Sequence, residues 1–254
     1  MSDLEKALQG WTHYWNPQVA ESFGGKEELE KNPKYVFEEK PISDSIPMCD
    51  ALLDAGAGVG RYTQLVKDKC KLYMGVDYSL NMLEQARRNN PFPNVVYVQG
   101  DLETIDLPTV LKNGWIKMGF INEDTQLEHP KFDVGMLIAI IRHLPTEKGL
   151  AVLKHVADAC DSLFFTASIV PEEREIPMIV KGIGDNKIVD HPYHLSDIKK
   201  TLNTETLNAV PIGDRDPTEG VRYLFKHPFD VSLVPSSTKK PWNRLVNVWR
   251  TVRG

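Results

Sequence analysis

The sequence predicts an α/β protein built on a doubly wound, mainly parallel seven-stranded sheet with helices on both faces. Three observations lead there. Short apolar runs alternate with amphipathic helical stretches, as parallel βαβ units require. The first run breaks on a glycine cluster, Gly56, Gly58 and Gly60. The longest mainly apolar run, residues 132–141, has the length and bulk of a central strand buried on both faces.

Taken in order, residues 48–53 form a buried strand that stops at Asp54 and the glycines, and residues 61–69 carry Tyr62, Leu65 and Val66 at helical spacing. Residues 72–76 repeat the pattern: a strand closed by Asp77, then Leu80, Leu83 and Ala86 on one helix face. A third strand, 94–99, ends at Gly100-Asp101, and residues 103–131 read as a polar, interrupted stretch. After the central strand, Pro145 and Thr146 start a helix whose inner stripe is Leu150, Val152, Leu153, Val156 and Ala157. Residues 162–168 give a fifth strand. Beyond Pro171 the pattern predicts a helix over 195–202, then strands at 209–212 and 221–225 joined through the turn-rich residues 213–217. The main domain is thus expected over 48–235, preceded by a helical lid over 1–47 and followed by a basic, aromatic segment over 236–254.

Composition narrows the function. Apolar residues at 41% and charged residues at 26% are ordinary for a globular domain, and no run approaches the roughly 18 apolar residues of a membrane span. The opening residues Met1 to Lys6 lack an apolar stretch after a basic start, so a cytoplasmic protein is expected. Cys49, Cys70 and Cys160 stand far apart, which predicts neither a disulfide framework nor a metal site. A formal net charge of −5 gives no general attraction to a phosphate backbone, and no nucleic-acid partner is expected.

The glycine loop separates the nucleotide-binding options. A dinucleotide fingerprint needs G-x-G-x-x-G, but after Gly56, Gly58 and Gly60 comes Arg61. A P-loop needs Gly-Lys-Ser/Thr, and Gly60 is followed by Arg61-Tyr62. What remains, Asp54-x-Gly56-x-Gly58-x-Gly60, resembles the first motif of the class I (Rossmann-like) S-adenosylmethionine-dependent methyltransferases. The likeness continues in that family's order through Asp77-Tyr78, Gly100-Asp101-Leu102 and the fourth-strand run that ends in His143-Leu144, and covers about 120 residues from Asp54 through Ser168.

The resemblance implies S-adenosylmethionine as cofactor. It assigns the loop around Asp54, Gly56, Gly58 and Gly60 to the methionine part, Asp77 to both ribose hydroxyls, Tyr78 to the adenine face, and Asp101 with Leu102 to the adenine edge. Leu137 and Ile138, at the end of the fourth strand, complete the cofactor set. A carboxylate suits the ribose because it accepts two hydrogen bonds at once.

Methyl transfer to a hydroxyl needs a group that takes up the proton. His143 follows the fourth strand and is the first candidate, since imidazole has an unperturbed pKa of about 6.5. For the acceptor, the aromatic N-terminal pair Tyr14 and Trp15 and the histidines His191 and His194 are expected substrate contacts. No metal-ligand cluster and no Asn-Pro-Pro-Tyr or Asp-Pro-Pro-Tyr motif is present. That points to a small molecule or glycan acceptor, methylated on a hydroxyl or an amine.

Two other readings stay open. Tyr14-Trp15 and His143-Leu144 are also similar to the protein α-N-terminal methyltransferases, although Thr166-Ala167-Ser168 stands where those carry Lys-Asp-Asn. Alternatively the chain is a non-catalytic partner subunit. Trp242, Leu245, Val246 and Trp249 form a stripe at helical spacing that could dock a partner, and self-association into a homo-oligomer is compatible with it.

Overall fold

The computed structural model describes residue 39 and residues 41–173, 175, 179–183, 186–211 and 221–227. Its parallel strands are β1 (Cys49–Ala55), β2 (Cys70–Asp77), β3 (Val95–Gln99), β4 (Phe132–Leu137) and β5 (Cys160–Ile169). A separate hairpin follows, β6 (Ile179–Ile183) with β7 (Asn186–Asp190), and then β8 (Asn208–Pro211) and β9 (Val221–His227). The main sheet has seven strands in the order β3-β2-β1-β4-β5-β9-β8. It is mixed: β9 runs antiparallel to both β5 and β8, while the other pairings are parallel.

The helices are α1 (Thr63–Val66), continued by a 3-10 turn at Lys67–Lys69, α2 (Leu80–Asn89), α3 (Leu107–Lys117), α4 (Thr146–Asp158) and α5 (Leu195–Thr201). Strand alternation explains the layers. Ala51, Leu53 and Ala55 of β1 and Leu72, Met74 and Val76 of β2 face the core made with α3, α4 and α5. Leu52 and Tyr73 point the other way, to Val66 of α1, Leu83 and Ala86 of α2, and Ile42 and Ile46 before the sheet. Residues 41–45 are helical, so this stretch packs in the same layer as α1 and α2.

The sequence reading needs four corrections of detail. The stretch 103–131 holds a helix, α3, which Asp106 caps by accepting from the Thr109 amide at 3.2 Å. Its inward positions, Leu107, Val110, Leu111 and Gly114, keep i, i+3, i+4, i+7 spacing, but Lys112, Asn113 and Lys117 between them made the segment read as polar. The central strand stops at Leu137 rather than 141, because Ala139 adopts φ +61° and its amide donates to the Thr166 hydroxyl at 2.7 Å. The first helix is one α turn and one 3-10 turn. The β6–β7 hairpin was not foreseen. Residue 212 of the expected strand lies outside the described residues, as do residues 1–38 and 228–254. No helix among the described residues is long and apolar enough to cross a membrane.

The sheet order reverses between β1 and β4, where β2 and β3 lie to one side and β5 to the other. Loops at the carboxyl ends of strands beside such a switch point form a crevice, and both halves of the candidate site lie there.

Candidate active site

The first half is the glycine loop. Gly56, Gly58 and Gly60 all have positive φ, at +84°, +53° and +73°. The Gly56 and Ala57 amides donate to the Val76 carbonyl at 2.7 and 3.0 Å, which ties the loop to the end of β2. A Cβ at Gly56 would overlap the Ile140 side chain, and one at Gly60 would overlap Asn90 and the Tyr97 hydroxyl. At Gly58 the nearest atom is Met82 Cε at 3.5 Å, so that glycine presents its backbone without crowding from the protein.

Asp77 closes β2 beside this loop. Its Oδ2 accepts from the Gly58 amide at 2.8 Å and its Oδ1 from the Ser79 amide at 2.9 Å. Burial raises its pKa, and the two amides pull it back. Each oxygen keeps a further lone pair for a ligand hydroxyl. Tyr78, 62% exposed, lies next along the rim. Asp101 is exposed and accepts from the Glu103 amide at 2.9 Å, while Leu102 is buried in the core. Leu137 and Ile138 are buried too.

Asp54 differs from the loop residues around it. It is buried, and its Oδ2 accepts from the Tyr73 hydroxyl. Thr63 Oγ1 donates to that tyrosine oxygen at 3.0 Å and lies 2.7 Å from the Tyr97 hydroxyl. Burial pushes the Asp54 carboxyl up to about 7, against the hydrogen bond from Tyr73. This carboxyl is tied through buried hydroxyls to Tyr73 of β2, Thr63 of α1 and Tyr97 of β3.

The second half lies after β4. The segment returns from Ala139 through Ile140, whose side chain occupies the space a Cβ on Gly56 would need, into a 3-10 turn at Ile141–His143. There Arg142 and His143 meet Asp190, the last residue of β7. Arg142 Nε donates to Asp190 Oδ1 at 3.0 Å and its terminal nitrogen to Oδ2, while His143 Nδ1 lies 3.0 Å from Oδ1. Burial opposes the charge on Asp190, but the bonds from His143 and Arg142 and the guanidinium charge outweigh it and hold the carboxyl well below its usual range. The His191 amide donates to the Arg142 carbonyl at 2.6 Å, and the Tyr193 hydroxyl to the Ile141 carbonyl at 2.7 Å.

The structure therefore brings His143 and His191 together around Asp190. Burial, the largest influence, lowers the His191 pKa, with Asp190 opposing and His143 adding to the fall. His194 stands apart, at the start of α5 and 3.9 Å from Asp197. Tyr14 and Trp15 lie outside the described residues, as does the terminal Trp242–Trp249 stripe. Sequence reasoning missed Asp190 as a site residue. It is visible in the string Asp190-His191, but only the unforeseen hairpin carries it to a turn 48 positions earlier. Among the described residues no group of three His, Cys, Asp or Glu side chains could hold a metal ion.

Residues 53–110 match the family described as methyltransferase domain. No curated protein matches the chain in sequence. In structure the chain is similar to DhpI in complex with SAH, at TM-score 0.56 and 12% identity, over 87% of this chain and 96% of that one. It is similar to the N-terminal domain of EvdMO1, solved with SAH and D-fucose, at TM-score 0.54 and 14% identity over 77% and 83%. A third similar structure is an S-adenosylmethionine-dependent methyltransferase from Listeria monocytogenes, at 0.53 and 14% over 76% and 98%. The matched segment runs from β1 into α3 and holds the glycine loop and Asp77, and the similar structures share the fold; together they support an S-adenosylmethionine-dependent methyltransferase.

Proposed function

We propose that this methyltransferase acts on a hydroxyl of a small molecule or sugar, with His143 taking the hydroxyl proton. The observation that carries the proposal is the interlock of the two half-sites. Ile140 seats against Gly56 of the donor loop, and three residues further on His143 presents an imidazole with its Nδ1 side against a carboxylate. That arrangement suits a proton acceptor placed beside a bound methyl donor.

The residues present fit the donor. The crowding at Gly56 and Gly60 comes from the protein's own side chains, whereas Gly58 stays uncrowded, its amide on Asp77 Oδ2. In this reading the backbone around Gly56, Gly58 and Gly60 receives the methionine part, Asp77 the ribose hydroxyls, and Tyr78, Asp101 and Leu102 the adenine. Leu137 and Ile138 serve from the core as the floor of the crevice. Bound S-adenosylmethionine supplies an electrophilic methyl group on sulfur. His191 lies on the acceptor side with His143, and His194, Tyr14 and Trp15 remain acceptor contacts by proposal, under a lid formed by residues 1–47.

A sugar or small-molecule acceptor is supported by the similar structures, one of them solved with D-fucose. Titration calorimetry with S-adenosylmethionine, followed by transfer of labelled methyl into D-fucose and a panel of small hydroxy compounds, tests the reading. Donor binding and label in an ether are expected. Label found only in amines or protein would overturn the acceptor class, and no donor binding would overturn the activity.

A further inference from the structure

The carboxylate at the end of β7 does more than close an ion pair. Arg142 and Asp190 already form a fork-on-fork pair, which satisfies both charges in a buried place. His143 is a third partner, with Nδ1 3.0 Å from Oδ1. That nitrogen is fully buried while 23% of the side chain is exposed, so the exposed part lies away from Asp190. Two further bonds hold the partners in register: the His191 amide on the Arg142 carbonyl and the Tyr193 side-chain hydroxyl on the Ile141 carbonyl.

We propose that Asp190 is a positioning residue for methyl transfer: by accepting from His143 Nδ1–H it fixes the imidazole tautomer that leaves Nε2 unprotonated and turned to the acceptor. The inference rests on the reading of His143 as the proton acceptor. Among the described residues, the charged and titratable groups that face that imidazole include Arg142 on its own turn, Asp190 from β7 and His191 after it. Arg142 keeps Asp190 ionised, so the carboxylate is available as an acceptor at neutral pH.

In the transfer the hydroxyl proton passes to Nε2. The new O–C bond takes its electron pair from the hydroxyl oxygen, and the S–C bond that breaks leaves its pair on sulfur. His143 ends as an imidazolium against an unchanged carboxylate, which stabilises the charge it has gained.

Nitrogen-detected NMR of the full chain with 15N-labelled histidine tests both layers and needs no acceptor, with His143→Gln used to assign the signal. The expected result is an imidazole that is neutral at pH 8 and carries its proton on Nδ1, with a pKa that falls by about one unit in Asp190→Asn. An Nε2–H tautomer in the unmodified chain overturns both the role of Asp190 and the base reading, because the nitrogen left to accept a proton would be the one buried against the carboxylate. An unchanged tautomer and titration in a folded Asp190→Asn overturns the role of Asp190 alone and leaves the base reading standing. An imidazolium that persists above pH 9 overturns the base reading itself. A purely structural Asp190 would shift thermal stability but leave the tautomer as it was.

Discussion

At the scale of single residues, two glycines of one loop answer to different constraints. Gly56 is pressed by Ile140 and Gly58 is not. Gly56→Ala should cost about 1–3 kcal/mol, from overpacking and a φ that alanine resists, measured by urea unfolding. Gly58→Ala should cost only about 1 kcal/mol, from its own positive φ rather than from crowding, yet weaken S-adenosylmethionine binding at least tenfold in calorimetry, and unchanged affinity would remove Gly58 from the donor site. Asp54 gives a pH test. Its folded pKa, about 7, exceeds the ordinary 3.8, so the folded state holds a proton that the unfolded chain releases. The resulting stability is full below about pH 4 and is lost as pH rises towards 7. Asp54→Asn should flatten that slope in thermal midpoints taken from pH 4 to 8, and an unaltered slope would assign it to other groups.

At the scale of elements, the strap that carries Asp190 depends on a helix it crosses. Gly149 lies in α4, and a Cβ there would strike the Tyr193 hydroxyl and come within 3.0 Å of the Ile141 carbonyl. Helix propensity alone would favour Gly149→Ala by about 1 kcal/mol. Displacing a fully buried tyrosine from its hydrogen bond to Ile141 should reverse that sign and destabilise by roughly 1–3 kcal/mol, as denaturant unfolding would show. A gain in stability would mean that Tyr193 does not pin the turn. Elements were legible in the sequence where one period ruled. The strands β1, β2 and β3 and helix α2 emerged close to their true bounds, since their apolar residues alternate or recur every three to four. Helix α3 was hidden because polar residues interrupt its stripe, and the end of β4 was hidden because Ala139 takes a left-handed turn that its neighbours Ile138, Ile140 and Ile141 disguise as strand.

At the scale of the whole molecule, the donor half of the crevice could be read from the sequence because its residues sit at strand ends in chain order. The acceptor half could not, since Asp190 and His143 meet only through the hairpin between β5 and α5. Occupancy of the donor half should act on the entire domain. S-adenosylhomocysteine at a hundredfold over its dissociation constant should add about 2.7 kcal/mol to unfolding stability, and a midpoint that does not move would deny binding to the folded state. The place of β9 has a different consequence, one of timing. It lies inside the sheet, between β5 and β8, yet among the described strands it is the last in the chain. On the ribosome, β1 to β5 can assemble as soon as they emerge, but the outer edge of β5 stays open to stray pairing until residues 221–227 arrive and add β9 to it. Completion of the sheet is therefore a late step of synthesis, and a nascent chain halted before that strand would expose the edge to aggregation.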